Sequence, residues 1–306
     1  MCCYNMAAFV EEQLDSIARQ TRLPDELVIC DDGSQDRSVE ILNAFAAKAP
    51  FQVTVIANEQ RLGCNRNFEK AISLCRGDII FLSDHDDVWR PKKIERIADL
   101  MADRSVGAAF GNAAVVAADL TPLGYTLWDT CNFNADRRSR FASGEQFSEL
   151  IANNVMQGAA TAFRSSFRPS IMPIPTEWQH DYWIALIVSS LSRIKFVEET
   201  VLDYRQHQAN LLGAGTPVRV RPPPSQLRRF PLQVGRWIEK LRSPTKYYAR
   251  RLGPVVQQQN SLSVLRDHLA QLDPESVTTA MTIVNDEIVR RRQLREVIEE
   301  KMRRWT

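Results

Sequence analysis

The stretch Gly77-Asp78-Ile79-Ile80-Phe81-Leu82-Ser83-Asp84-His85-Asp86-Asp87-Val88-Trp89 turns from apolar to acidic within a few residues. Ile79 to Leu82, bounded by glycine on one side and polar residues on the other, predicts a short buried strand of an α/β sheet. Asp84, Asp86 and Asp87 follow at once. Carboxylates this close repel one another, so a cation or a set of hydrogen-bond donors is expected to hold them at the strand's carboxyl end. That end is where open α/β sheets bind ligands. Asp84 and Asp86, at alternate positions, can offer oxygens to one hard cation. Mg2+ or Mn2+ held by one or two carboxylates usually completes its shell with substrate phosphates. An acidic loop that merely caps the helix expected from Pro91 is the simpler alternative.

The pattern repeats on the N-terminal side, where Leu27-Val28-Ile29-Cys30 ends in Asp31-Asp32-Gly33-Ser34. Helical spacing predicts helices at about 7–20, 36–49, 65–75 and 91–103, with strands at 52–57 and 106–111 between them. Strands alternating with helices of this length predict βαβ units and a mostly parallel sheet, which puts both acidic strand ends on one edge. Tyr4-Asn5 reads as the end of a strand whose earlier residues are lacking. A reading frame continuing upstream is expected, unless Met1 to Tyr4 make a short strand alone.

Further on, 119–143 reads as an irregular, polar acceptor loop or flexible lid. The small residues of 154–163 allow close approach of backbone or ligand. A helix opens at His180-Asp181-Tyr182-Trp183, and a strand over 196–204 runs into Arg205-Gln206-His207. Composition changes at Gly213. Pro217 to Pro224 is linker-like, and helices are expected at about 226–242, 244–270 and 274–306. The last is amphipathic through Val277, Met281, Val284 and Ile288.

The net charge of +2 hides an asymmetry: residues 214–306 carry 18 Lys and Arg against 9 Asp and Glu, while 1–213 carry 21 against 28. An acidic body argues against a nucleic-acid groove, and a basic tail suits an anionic surface. The six cysteines form no CxxC pair, which fits reduced thiols in a cytoplasmic protein and argues against zinc. No apolar run reaches the roughly 18 residues of a membrane span, and no signal peptide is visible.

Taken in order, several segments together resemble the family 2 glycosyltransferases of the GT-A fold. They are Tyr4-Asn5, Gln13-Leu14-Asp15-Ser16-Ile17 with Gln20-Thr21, Cys30-Asp31-Asp32-Gly33-Ser34-Gln35-Asp36, and Asn58 with Leu62-Gly63 and Asn67-Phe68-Glu69. The acidic stretch through Trp89-Arg90-Pro91, His180-Asp181-Tyr182-Trp183, and Tyr204-Arg205-Gln206-His207 with Asn210 complete the set. Within that family the set is most similar to the rhamnosyltransferase-like branch. The resemblance runs from residue 1 to about 213, and nothing after 216 matches a motif.

The resemblance implies a GT-A domain over 1–213, with a nucleotide-sugar half to about 111 and an acceptor half from about 112, and a basic helical extension over 214–306. Tyr4, Asn5, Asp31, Asp32 and Asn67 would belong to the nucleotide-sugar site, where a carboxylate can accept from a base N–H and a ribose hydroxyl. Asp31 and Asp32 can cap the following turn at the same time. Asp84 and Asp86, with Asp87 beside them, would hold Mg2+ or Mn2+ against the donor phosphates, with Asp84 also touching the donor. His85 stands where the closer branch often has Gln. Asp181 matches the base position, at the positive end of a helix dipole; a simple N-cap is the alternative. Arg205 could clamp a phosphate as a bidentate donor, and His207 could ligate the metal, while a packed or surface histidine is as good a reading.

The implied activity is inverting transfer of a hexosyl or deoxyhexosyl group, such as rhamnosyl from dTDP-rhamnose, to a hydroxyl of a surface glycan or its lipid-linked precursor. The implied setting is the cytoplasm, with the basic extension touching the inner membrane face and no nucleic acid involved. A sugar nucleotidyltransferase should carry a Gly-rich basic loop where this chain has Tyr4-Asn5-Met6-Ala7-Ala8. A non-catalytic nucleotide or glycan binder would keep the pocket without the base.

Overall fold

The computed structural model describes residues 1–208, 210, 214 and 244–304, which fall into two compact units, Met1–Val218 and Arg219–Thr306. In the first, β1 (Cys2–Cys3), α1 (Val10–Ala18), β2 (Glu26–Asp31), α2 (Ser38–Ala46), β3 (Gln52–Ala57) and α3 (Cys64–Leu74) alternate as expected. The three strands pair in the order β1-β2-β3, all parallel, with Cys3 opposite Asp31 and Asp31 opposite Ala57. Cys2–Cys3 thus make the short strand that was the alternative for this segment. Apolar residues at helical spacing dock the helices: Val10, Leu14 and Ile17 from α1, and Leu42 and Phe45 from α2, are buried.

The second sheet holds β4 (Ile79–Phe81), β5 (Val88–Trp89), β6 (Val106–Ala117), β7 (Pro122–Thr126), β8 (Thr161–Arg164) and β9 (Arg193–Gln206), ordered β4-β8-β6-β9-β5 with β7 beside β6. Here β6 and β9 run parallel, and the remaining pairings are antiparallel. The parallel arrangement therefore describes the β1-β2-β3 sheet, and the second sheet is mixed. The cause is β8, which returns from a long excursion and inserts antiparallel between β4 and β6. An apolar run encodes burial but not direction. A hydrogen bond from Cys2 N to Ser83 O (3.2 Å) joins the end of β4 to β1.

Around this sheet lie α4 (Lys93–Leu100), α5 (Leu127–Thr130), α6 (Ala135–Ala142), α7 (Gln146–Ala152), α8 (Arg168–Ile171) and α9 (His180–Leu191). The expectation of an irregular, flexible 119–143 is overturned. Thr126 and Asp129 cap α5 reciprocally, and Asn134 caps α6. Trp128, Phe133 and Phe141 are buried in an aromatic cluster with Phe110 and Phe196. These helices are too short for a periodicity to register in the sequence.

The second unit contains α10 (Pro244–Leu269) and α11 (Pro274–Arg303). Asp273 caps α11, accepting from Ser276 N at 3.0 Å. Val277, Ala280, Val284, Ile288 and Ile298 are buried along one face, as the amphipathic pattern predicts, with Met281 half-buried. The linker expected at 217–224 and the helix expected at 226–242 lie outside the described residues. Among the described residues, no helix is long and apolar enough to cross a membrane.

Candidate active site

At the end of β4 the chain divides its acids by what holds them. Asp86 is buried, and its Oδ2 lies 2.9 Å from His207 Nε2 and 3.3 Å from Asn210 Nδ2. Asp87 accepts from Arg205 N through Oδ1 (3.2 Å), while its Oδ2 is buried without a partner. Burial, then the charges of Asp86 and Asp84, push the Asp87 carboxyl well above the usual carboxylate range. Asp84 is half-buried, and no hydrogen-bond donor of the described residues reaches its carboxylate. Burial, then the Asp86 charge, push it up to about 6. His85 turns away, with Nδ1 2.9 Å from Cys2 O.

Two buried basic side chains lie beside this loop. Arg205, 2% exposed, gives Nε to Asp86 O (2.8 Å), Nη1 to Ala118 O and Nη2 to the Glu12 carboxylate, and its guanidinium lies over the Phe9 ring. Every nitrogen of that guanidinium already has a protein acceptor. Lys93, 1% exposed, lies 3.6 Å over the Trp89 ring and donates to Ala159 O. Burial drives its pKa well down, opposed by the charges of Asp87 and Asp84. His207 stacks on Phe9 with ring centroids 4.8 Å apart.

On the β2 side both carboxylates shape loops. Asp31 accepts from Gly33 N, Ser34 N and Ser34 Oγ. Asp32 accepts from Asn58 Nδ2 and Leu62 N through Oδ1 and from Gly63 N (2.9 Å) through Oδ2. Gly63 has φ +81°, a conformation suited to glycine, and so turns the chain into α3. Asn67 donates to Cys30 O and accepts from Asn58, beneath that loop. Asn5 accepts from Gln35 N, and the Tyr4 ring lies 3.9 Å under the Arg61 guanidinium.

Asp181 sits in the first turn of α9, whose N-cap is Gln179. Its Oδ2 accepts from Gly158 N (2.9 Å) and Asn154 Nδ2 (3.3 Å), and Oδ1 from Tyr182 N (2.7 Å). The adjacent His180 stacks on Phe68 at 3.8 Å, and burial lowers its pKa against the pull of Asp181, so it is neutral. Its Nδ1 lies 3.8 Å from Cys64 Sγ.

Cys64, the first residue of α3, shows what converges. Its thiol is pushed up to about 12 by burial and then by the charges of Asp84, Asp181 and Asp32. Asp32 accepts from Gly63 N, directly before Cys64, and His180, directly before Asp181, has its Nδ1 3.8 Å from Cys64 Sγ, so the segment after β2 and the start of α9 meet at the start of α3. Arg205 binds Asp86 and Asp87, and His207 lies 2.9 Å from the Asp86 carboxylate, while Asn5 binds the 31–36 loop through Gln35 N and Asn67 is buried.

Among the described residues, no three His, Cys, Asp or Glu side chains converge enough to enclose a metal alone. Asp84 free of donors and the Asp86–His207 pair next to it nonetheless fit Mg2+ or Mn2+, which take carboxylate oxygen readily and leave positions for phosphate. Sequence reasoning missed Glu12, Cys64, Lys93 and Asn154. Only Gly158 had a signal, in the small-residue run.

The architecture is of the GT-A type, with acidic residues following β2 and β4. A sequence profile described as Glycosyl transferase family 2 matches residues 1–167, and the chain belongs to that family. An uncharacterized glycosyltransferase of Nostoc is 26% identical over 221 residues, covering 68% of this chain and 63% of its own length. The dTDP-rhamnosyl transferase RfbG of Shigella flexneri is 23% identical over 249 residues, covering 78% of this chain and 81% of its own. Among solved structures, S. aureus TarS with UDP-GlcNAc superposes with TM-score 0.53 at 14% identity, over 68% of this chain and 58% of that one. The Pyrobaculum calidifontis mannosyltransferase PcManGT, solved with GDP-Man and Mn2+, gives 0.50 at 18%, over 94% and 85%. The chain thus spans less than two thirds of some relatives it matches.

Proposed function

We propose that the protein is a metal-dependent, inverting glycosyltransferase acting on a nucleotide diphosphate sugar. The observation that carries the reading is the meeting of Asp32, through Gly63 N, and the His180–Asp181 turn, through Cys64, at the start of α3, with Asp84 unclaimed by any described donor. Membership of family 2 and the nucleotide-sugar complexes of TarS and PcManGT support it. Asp84 and Asp86 would hold Mg2+ or Mn2+, with His207 as a further ligand. Such an ion stabilises negative charge on the departing diphosphate. Asp87 and Arg205 keep the loop in shape, and Arg205 acts through the loop rather than on a phosphate. Tyr4, Asn5, Asp31, Asp32 and Asn67 form or support the nucleotide side.

Asp181 takes the acceptor hydroxyl's proton. The acceptor oxygen bonds to the anomeric carbon on the face opposite the leaving group, and the carbon–oxygen bond to phosphate breaks with its electron pair on the diphosphate. RfbG, named a dTDP-rhamnosyl transferase, supports a rhamnosyl donor, and a glycan or lipid-linked hydroxyl acceptor at the cytoplasmic membrane face completes the proposal.

Asp181→Asn tests it. Transfer should fall by roughly a hundredfold to ten-thousandfold, the range of a positioned base, while Mn2+-dependent donor affinity by calorimetry stays within about twofold. A variant keeping more than about a third of wild-type turnover would remove Asp181 from the mechanism.

A further inference from the structure

We infer that the 154–158 turn, through Asn154 and Gly158, aims the carboxylate of Asp181; this rests on the reading of Asp181 as the base. Two neutral donors meet Oδ2, from Gly158 N and Asn154 Nδ2. The amide of Asn154 is fixed in that sense because its Oδ1 accepts from Met156 N at 3.0 Å, which leaves Nδ2 to face the carboxylate. Position 158 is tight for a side chain: a Cβ there would stand 3.2 Å from Asp181 Cβ and 3.2 Å from His180 Nε2, so the Asp181 side it faces would have to yield by a few tenths of an ångström. The next residue is anchored too, since Lys93 donates to Ala159 O.

The titratable groups facing Asp181 are His180 on its own helix, Cys64 on α3, Asp84 on the acidic loop and Tyr204 on β9. His180 is neutral, and none of the others is a cation. Among the described residues no ion pair reaches Asp181. Its charge is met instead by neutral N–H groups, two of them from this turn. Asn154 is a positioning residue in this account: it touches the base and not the substrate.

Asn154→Asp keeps the shape, removes the donor and sets a second carboxylate against Asp181. Turnover should fall by about tenfold near pH 7, and the acid limb of the pH–rate profile should move up by about one unit, because like charges so close favour a shared proton. Asn154→Ala should lower kcat by a similar factor with KM for the donor unchanged. Turnover is read as nucleotide diphosphate release from dTDP-rhamnose, UDP-GlcNAc and GDP-mannose with Mn2+, and donor affinity by calorimetry with dTDP, UDP and GDP. An unmoved acid limb with kcat within about twofold in both variants, while Asp181→Asn is inactive, overturns the inference and leaves the base standing. Should Asn154→Asp fail to fold, Asn154→Ala decides by its kcat against KM. No turnover of any of the three donors by the wild type, or full activity of Asp181→Asn, overturns the base and this inference together.

Discussion

Asp84 is held against its own electrostatics, and that has a measurable sign. Its carboxyl is pushed up to about 6 from 3.8 by burial and the Asp86 charge, so the folded protein binds that proton more tightly than the unfolded chain. The resulting stability is fully present below about pH 4 and is lost as pH rises through about 6. Asp84→Asn removes the charge, and the metal-free variant should melt higher than wild type at pH 7.5. Mn2+ needs the ionised carboxylate, so stabilisation of the wild type by Mn2+ should weaken as pH falls below about 6. Melting curves at pH 5 and 7.5, with and without Mn2+, check both; a metal-free Asp84→Asn that melts lower at pH 7.5 contradicts the account. Asp32 and Asp84 stood out in the sequence because acids at the ends of apolar runs break a burial pattern, whereas Asp181 stood out only through the family resemblance. The partners of Arg205 did not stand out. They include the backbone oxygens of Asp86 and Ala118, which no spacing along the chain encodes.

At the scale of elements, the helices and strands up to Leu74 were readable to within about three residues at each end, since helical and apolar periodicities there are long enough to register. Strand direction was not, which is why the antiparallel insertion of β8 between β4 and β6 came only from the structure. The segment over 119–143 misled for another reason: its polar composition reads as a loop, yet Arg137 and Arg140 clamp the buried Glu149 carboxylate. Trp128, Phe133 and Phe141 between them are core. Phe133, 1% exposed, meets four other aromatic rings, so Phe133→Ala should cost about 3–5 kcal/mol. Denaturant midpoints at constant m report this, and a loss below about 0.5 kcal/mol would return the segment to the status of a surface loop.

For the molecule as a whole, charge divides between an acidic body and a basic extension. Asp31, Asp32, Asp84, Asp86 and Asp87 of the body stand at the proposed site, while the extension's excess of cations over 214–306 suits an anionic surface. The full chain should float with phosphatidylglycerol vesicles at low salt more than a chain ending at Val218; equal flotation contradicts that role. The central claim is that Asp84 and Asp181 divide donor binding from chemistry, and one thermal-shift series tests it most directly. Wild type, Asp84→Asn and Asp181→Asn are melted with dTDP-rhamnose, UDP-GlcNAc and GDP-mannose, each with and without Mn2+. The account predicts that one donor raises the melting temperature of wild type and Asp181→Asn alike, only with Mn2+, and leaves Asp84→Asn unmoved. An equal Mn2+-dependent shift in Asp84→Asn, or none in the wild type, would contradict it.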